Sequence, residues 1–283
     1  MDVLITPESL ADALAGAAPP VVLDVRWSLA EPDGRPAYRA GHVPGAVFVD
    51  LETELARADH APADGRHPLP DEDAFTASMR RWGIRPGAAV VAYDDLGGQS
   101  AARAWWLLRH AGVADVRLLD GGLAAWTGAG LPLEHGWAEP VPGDATARFG
   151  HLPVVDIDGA ERMPRGGVLL DARAAERYRG EVEPVDPLAG HIPGAASAPT
   201  AGNLDADGRF LPAAALRDRY AALGVEPGRP VAAYCGSGVT ASHVVAALAI
   251  AGFDAALYPG SWSQWANTPG RPVATRDGTG DRA

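Results

Sequence analysis

The most reactive side chain in this sequence is Cys235, the only cysteine among 283 residues. It follows a short apolar run, 231–234 (VAAY), and precedes a loop of small residues, 236–238 (GSG), and an apolar stretch, 240–251. A strand, a glycine-rich loop and a helix in this order direct backbone N–H groups into one concavity. We expect a cysteine at its mouth to exist partly as a thiolate, a nucleophile inside an anion cradle. The alternative is a buried structural cysteine, the commoner situation for a single cysteine.

The composition indicates a globular protein and disfavours several kinds of partner. The length, with 47% hydrophobic and 21% charged residues, suits two domains with sizeable cores. A net charge of −12 disfavours nucleic acids and anionic membranes as partners. The absence of lysine excludes Schiff-base chemistry and a Walker-type phosphate loop. With one cysteine, no signal-peptide pattern and no run long enough to span a membrane, we expect a cytoplasmic location.

Three separate landmarks in the sequence occur twice at nearly constant spacing. Residues 21–26 (VVLDVR) match 168–173 (VLLDAR), and residues 40–46 (AGHVPGA) match 189–195 (AGHIPGA). A third pair, 120–126 (DGGLAAW) and 259–265 (PGSWSQW), is less similar. A long repeat of this kind indicates two copies of one domain rather than a short-period solenoid.

Each copy alternates strand-like and helix-like segments, which predicts an α/β fold of two tandem domains. Each domain should be a mostly parallel sheet with helices on both faces. The predicted strands are 21–25, 46–49, 89–93 and 116–118 in the first copy, and 168–171, 230–234 and 256–258 in the second. The predicted helices are 7–15, capped by Thr6, 71–82 and 100–110 in the first copy, and 212–223 and 240–251 in the second, with Gly112 and Gly224 as helix ends.

The proline-rich stretch 132–151 has the composition of a linker. We therefore predict a first domain at 1–131, a linker at 132–151 and a second domain at 152–283. The first domain has Asp94 where the second has Cys235, so it should keep the fold without the nucleophile. The adjacent pair Asp94 and Asp95 could be a metal or acid–base pair, but such acids more often cap a helix.

The combined motifs resemble the two-domain rhodanese sulfurtransferases. The tandem copies, the Gly-His-x-Pro-Gly-Ala element, residues 235–241 (CGSGVTA) and residues 260–262 (GSW) carry this resemblance. The loop is similar to the 3-mercaptopyruvate branch, because members that prefer thiosulfate usually carry basic residues where Gly236 and Ser237 stand. The resemblance implies that Cys235 accepts sulfur as a persulfide and passes it to cyanide or a thiol. Thiosulfate is the alternative donor, and no metal or organic cofactor is implied.

Backbone N–H groups should hold the charged persulfide that sulfur transfer creates. Those of Gly236, Gly238, Val239 and Thr240 face the predicted cradle, and glycines let the backbone approach closely. Thr240 could also donate its hydroxyl, but capping the following helix is the simpler role.

By the resemblance, Arg177 corresponds to the arginine that holds the anionic end of the donor. A guanidinium suits a carboxylate or sulfonate through paired hydrogen bonds. The alternative is a surface salt bridge to Glu176 or Glu181. Arg173 and Arg179 are weaker candidates. The 3-mercaptopyruvate branch usually carries a second arginine where this sequence has Val185.

Ser237 corresponds to a loop serine that is proposed to work with a histidine and an acid in the same branch. The matching positions are His67 and either Glu52 or Asp50. Such a relay could protonate the pyruvate enolate as sulfur leaves. The alternative for His67 is an ordinary surface residue beside prolines. His42 and His191 recur in both copies and are interpreted as structural, and His243 as packed.

Two other classes of function fit parts of the pattern. A related cysteine phosphatase would have a loop one residue longer that ends in a phosphate-binding arginine, and the corresponding position here is Ala241. A non-catalytic persulfide sensor is compatible with one inactive copy, but it would be modified once and stop.

Overall fold

The computed structural model describes residues 2–276, which form two compact units. The first unit, which we call unit 1, consists of residues 2–58, 69–152 and 204–210. Unit 2 consists of residues 59–68, 153–203 and 211–276. Each unit thus includes a short segment from the other half of the sequence, which the prediction of 1–131 and 152–283 did not contain. The predicted linker, 132–151, belongs to unit 1.

Unit 1 contains a five-stranded parallel sheet with the strand order β1-β5-β4-β2-β3. Its strands are β1 (Leu4–Ile5), β2 (Val21–Asp24), β3 (Val47–Phe48), β4 (Val90–Tyr93) and β5 (Val116–Leu119). Its helices are α1 (Pro7–Leu14), α2 (Arg35–Ala40), α3 (Leu51–Glu54), α4 (Glu72–Arg81), α5 (Ala101–His110) and α6 (Gly122–Gly128). The predicted Thr6 cap is confirmed, because its side chain accepts a hydrogen bond from the Ser9 N–H.

Unit 2 repeats this topology with a four-stranded parallel sheet of order β7-β6-β8-β9. Its strands are β6 (Val168–Asp171), β7 (Ala196–Ser197), β8 (Val231–Tyr234) and β9 (Ala256–Leu257). Its helices are α7 (Ile157–Arg162), α8 (Ala175–Tyr178), α9 (Ala213–Ala222), α10 (Val239–Ala251) and α11 (Ser261–Ala266). The place of β1 is taken by a single parallel bridge between Val154 and Leu257.

The predicted fold class is confirmed, and the differences concern short elements. The strands β1 and β7, which have two residues each, were not predicted. The shorter helices were not predicted either. Gly112 and Gly224 have φ angles of 92° and 86° and lie two residues after the last residues of α5 and α9, as predicted for helix ends. Within residues 2–276, no helix is both long enough and apolar enough to cross a membrane.

The same polar framework supports the central strands in both units. In unit 2, Tyr234 at the end of β8 pairs in register with Asp171, whose carboxylate binds Arg173 through Nε and Nη2. Asp24, Arg26 and Tyr93 repeat this arrangement in unit 1. The framework fixes the carboxyl end of the central strand, which is the position that Cys235 and Asp94 follow.

The repeated histidines have equivalent buried contacts in the two units. His42 stacks on Tyr38 and His191 stacks on Tyr178, with ring centroids 4.0 and 3.7 Å apart. Both histidines are fully buried, and so is His243 in α10, which contacts Asn203. These contacts agree with a structural role for all three.

Candidate active site

Cys235 lies at the start of the loop between β8 and α10 and is only 1% exposed. Its Sγ accepts a hydrogen bond from the Gly238 N–H, with a distance of 3.1 Å. Its own N–H donates to Ser261 Oγ, and its carbonyl accepts from the Trp262 N–H. The loop is therefore fixed on both sides, and the sulfur atom faces a backbone donor as the sequence predicted.

Gly238 shapes the loop because only glycine fits its conformation. It has a φ of 82°, and a Cβ there would lie 2.3 Å from the carbonyl oxygen of Pro259. Gly238 is also the residue that precedes α10, so the helix begins at Val239 without a side-chain cap. The prediction that Thr240 caps this helix is wrong, because Thr240 already lies inside the first turn. The N–H groups of that turn consequently remain without a capping side chain, as an anion cradle requires.

His67 and Ser237 are in direct contact. His67 lies in the segment 59–68 of unit 2, and its Nδ1 is 2.7 Å from Ser237 Oγ in a hydrogen bond. The two residues are 2% and 6% exposed, so His67 is not an ordinary surface residue. Ser237 is two positions after Cys235, and the pair therefore lies close to the nucleophile.

The two acids considered as the third member of this relay are in unit 1. Asp50 accepts hydrogen bonds from the first N–H groups of α3 and forms an ion pair with Arg35. Glu52 accepts a hydrogen bond from Trp27 Nε1 at 2.9 Å. The participation of either acid in a relay with His67 stays a prediction.

Arg177 reaches the loop beside Cys235. A Cβ built on Gly236 would be 3.5 Å from Arg177 Nη1, so the guanidinium lies against the residue after the nucleophile. Its acidic partners are Glu183, at 2.6 Å, and Asp186, at 3.6 Å, rather than the Glu176 or Glu181 of the alternative interpretation. Both carboxylates are almost fully buried, which makes this a fixed cluster rather than a surface salt bridge.

The two weaker candidates have structural roles. Arg173 is 2% exposed, binds Asp171 and Glu183, and lies over the ring of Trp262. Burial alone would lower the pKa of Arg173, but the charge and hydrogen bonds of Asp171 raise it above its ordinary value. Arg179 pairs with Glu181 at the surface.

Arg66 is a site residue that the sequence analysis missed. Its Nη1 forms an ion pair with Asp186 at 2.8 Å, and its Nη2 would be 3.3 Å from a Cβ on Gly236. Burial raises the pKa of the Asp186 carboxyl, and the charge of Arg66 opposes that shift. The only local signal in the sequence was that Arg66 precedes His67.

Comparison with known families agrees with this geometry. The family model for the rhodanese-like domain matches residues 6–129 and again residues 158–268. The protein belongs to the rhodanese family. Both copies are thereby accounted for, and Cys235 lies in the second of them.

Relatives of this rhodanese are similar over nearly their whole length. A 3-mercaptopyruvate sulfurtransferase of Pseudomonas aeruginosa is 50% identical over 265 residues, covering 91% of this chain and 93% of that protein. The thiosulfate sulfurtransferase SseB of Mycobacterium tuberculosis is 50% identical over 275 residues, covering 96% of both chains. Both names are provisional. The crystal structure of SseA from Escherichia coli is 32% identical, with a TM-score of 0.81, covering 93% of this chain and 99% of that one.

Unit 1 has different residues at the positions that correspond to Cys235 and Arg177 of unit 2. Asp94 replaces the cysteine, and its carboxylate accepts hydrogen bonds from the N–H groups of the loop and from Ser100 Oγ. Tyr38 and Tyr178 correspond, since each hydroxyl donates to an equivalent carbonyl, and the residue before Tyr38 is Ala37 rather than an arginine. The cap interpretation of Asp94 is supported, and residues 2–276 contain no cluster of acids, histidines and cysteine that could hold a metal.

Proposed function

We propose that this protein is a sulfurtransferase that moves sulfur from 3-mercaptopyruvate to a thiol or cyanide through a persulfide on Cys235. The observation that carries the proposal is the Gly238 N–H donating to Cys235 Sγ at the uncapped start of α10. A backbone donor at this position can hold the negative charge of a persulfide when sulfur is bound to Cys235. A buried structural cysteine would have no need for such a donor.

The first half-reaction needs a nucleophile, an anion site and a proton. The Cys235 thiolate attacks the donor sulfur, the carbon–sulfur bond breaks, and its electron pair leaves with the enolate of pyruvate. A proton then converts the enolate to pyruvate, and Cys235 keeps the sulfur as a persulfide. In the second half-reaction the acceptor attacks the outer sulfur, and the sulfur–sulfur bond breaks to restore the thiolate.

The His67–Ser237 contact supports 3-mercaptopyruvate as the donor. A hydroxyl two residues after the nucleophile, held at 2.7 Å from an imidazole, can deliver a proton close to the leaving enolate. Sulfite, which leaves when thiosulfate is the donor, is stable as an anion and gains little from such a proton.

Thiosulfate is a second candidate donor, favoured by the two guanidinium groups beside Gly236. The loop is neutral, but Arg66 and Arg177 bring positive charge to it from other segments. The charge that a donor meets at Cys235 therefore depends on these two side chains as well as on the loop. However, Asp186 and Glu183 neutralise these arginines, so the cluster as a whole suits a monoanion better than a dianion.

The names of two relatives also differ in the sulfur donor, since one is named for 3-mercaptopyruvate and another for thiosulfate.

A direct comparison of kcat/KM for the two donors, with cyanide as acceptor, tests the proposal. We expect 3-mercaptopyruvate to be preferred by about tenfold or more, which corresponds to about 1.4 kcal/mol. A preference for thiosulfate would reject the donor but leave the persulfide chemistry intact. A single turnover without recycling would instead indicate a sensor.

The remaining expectations belong to the same proposal. The partners are small molecules, a sulfur donor and a thiophilic acceptor, and no nucleic acid or membrane takes part. The chemistry described above uses only side chains and backbone groups, and it needs no metal or organic cofactor. A cytoplasmic location suits an enzyme that depends on one reduced cysteine.

A further inference from the structure

The segment 59–68 brings a cation as well as His67 to the site in unit 2. The N–H of Arg66 donates to Ser263 Oγ at 2.9 Å, and Gln264 Nε2 donates to the carbonyl of Ala63 at 3.0 Å. Gly65 has a φ of 89°, and a Cβ there would lie 2.7 Å from the carbonyl oxygen of Gly260. The backbone of this segment is thus fixed closely on the start of α11.

The side chain of Arg66 is aimed at the loop that carries the nucleophile. A Cβ built on Gly236 would meet Arg66 Nη2 at 3.3 Å and Arg177 Nη1 at 3.5 Å. Two guanidinium groups therefore cover the residue that follows Cys235. Asp186 lies beside both of them, 2.8 Å from Arg66 Nη1 and 3.6 Å from Arg177 Nη2, and fixes their positions.

The Arg66 guanidinium uses only part of its hydrogen-bonding capacity. Its Nη1 binds Asp186, whereas its Nε is buried without a hydrogen-bond partner among residues 2–276. In this protein, Arg26 and Arg173 each bind a carboxylate through the edge formed by Nε and Nη2. A buried guanidinium donor without a partner is unfavourable unless a ligand or a water molecule supplies the acceptor. The same edge of Arg66 suits the same chemistry.

We propose that Arg66 binds the carboxylate of the sulfur donor through its Nε–Nη2 edge, together with Arg177. This inference rests on the proposed function and names a specificity-determining residue for it. The carboxylate would occupy the space beside Gly236, which directs the donor sulfur to Cys235. Asp186 keeps both guanidinium groups in place and binds Arg66 through Nη1, so that the Nε of Arg66 is not used by Asp186.

The test compares Arg66→Met and Arg66→Lys with Arg165→Met, which removes an exposed arginine of the same unit. We expect Arg66→Met to raise KM for 3-mercaptopyruvate by roughly tenfold to a hundredfold, and Arg66→Lys to raise it less, because lysine keeps the charge but not the planar edge. Transfer to cyanide from a persulfide that has already been formed should change much less than donor use, because no carboxylate takes part in that step. Mercaptoacetone, which lacks the carboxylate, should be used equally by wild type and variants.

Several outcomes would overturn the inference. An unchanged KM, an equal loss with mercaptoacetone, or an equally large slowing of transfer from the persulfide that was formed beforehand would each show that Arg66 does not bind the carboxylate. Thermal unfolding of Arg66→Lys shows whether the fold is kept.

A binding measurement separates this inference from the proposed function. Calorimetric titration of pyruvate into Cys235→Ser should show weaker binding when Arg66 is also replaced by Met. Equal binding in both would overturn the inference even if Cys235 forms a persulfide. If Cys235 forms none, the proposed function fails, and the pyruvate titration still reports on Arg66.

Discussion

Asp94 and Cys235 occupy equivalent positions in the two units, each directly after a tyrosine that ends the central strand. The neighbouring strand pairs an aspartate in register with each tyrosine, Asp24 with Tyr93 and Asp171 with Tyr234. In unit 2 the loop N–H of Gly238 faces a sulfur atom, and in unit 1 the loop N–H groups face the carboxylate of Asp94. The same loop geometry thus occurs twice, and its N–H groups face a sulfur atom in unit 2 and the carboxylate of Asp94 in unit 1.

Replacing Asp94 by alanine should destabilise the protein by about 2–4 kcal/mol, because several buried N–H groups lose their acceptor. Chemical unfolding followed by circular dichroism measures the change. Asp95→Ala is the matched control, since Asp95 is the exposed neighbour. If the two variants are equally stable, Asp94 does not organise the loop.

Replacing Arg177 by alanine should lower kcat/KM for the donor, since a donor anion would lose a charged partner. The loss corresponds to an increase of about 2–4 kcal/mol in the activation free energy. Sulfur transfer from the loaded persulfide to cyanide should continue. Arg179→Ala, which removes a surface ion pair with Glu181, is the control. If kcat/KM for the donor is the same in wild type and Arg177→Ala, Arg177 does not bind the donor anion.

His67→Gln and Ser237→Ala should each reduce turnover of 3-mercaptopyruvate by about a hundredfold, because the enolate then lacks its proton source. Thiosulfate turnover should fall much less, since sulfite leaves as a stable anion. His60→Gln, in the same segment, is the control. Equal losses with both donors would argue that the pair only holds the loop in shape.

His110 should make the stability of the protein depend on pH. Burial against Trp106 and Phe149 lowers the pKa of His110, although its hydrogen bond with the backbone of Leu152 opposes the shift. The unfolded chain therefore binds a proton at a higher pH than the folded one, and the stability conferred by neutral His110 is lost as pH falls below about 6.5.

The variant His110→Gln tests this dependence, with His135→Gln as the exposed control. The free-energy difference between wild type and His110→Gln should shrink between about pH 7.5 and about pH 5. A difference that stays constant over this range would contradict the buried neutral histidine.

The sequence predicted the elements whose pattern is local. The strands around Cys235 and Asp94 and the apolar helix α10 were recognisable because each lies within one continuous run. The start of α10 was misplaced because the left-handed conformation of Gly238 allows the helix to begin one residue before Thr240. The strands β1 and β7 are too short to show an alternating pattern.

Contacts between residues that are far apart in the sequence cannot be predicted from local patterns. Arg66 and Asp186 are 120 positions apart, and no periodicity connects them. His67 and Ser237, 170 positions apart, were linked in advance only through the family resemblance. The ion pairs of Arg177 with Glu183 and Asp186 are likewise not visible in a linear pattern, because they depend on how residues 183–186 fold around the guanidinium.

The most direct test of the account is whether Cys235 carries transferable sulfur. Native intact-mass analysis after treatment with 3-mercaptopyruvate should show one added sulfur atom on the wild type, and cyanide should remove it with formation of thiocyanate. Cys235→Ser should stay folded, gain no sulfur and show no turnover, because a hydroxyl is too basic to be the resting nucleophile. Appreciable turnover by Cys235→Ser, or a wild type that turns over without ever carrying the added sulfur, would contradict the account.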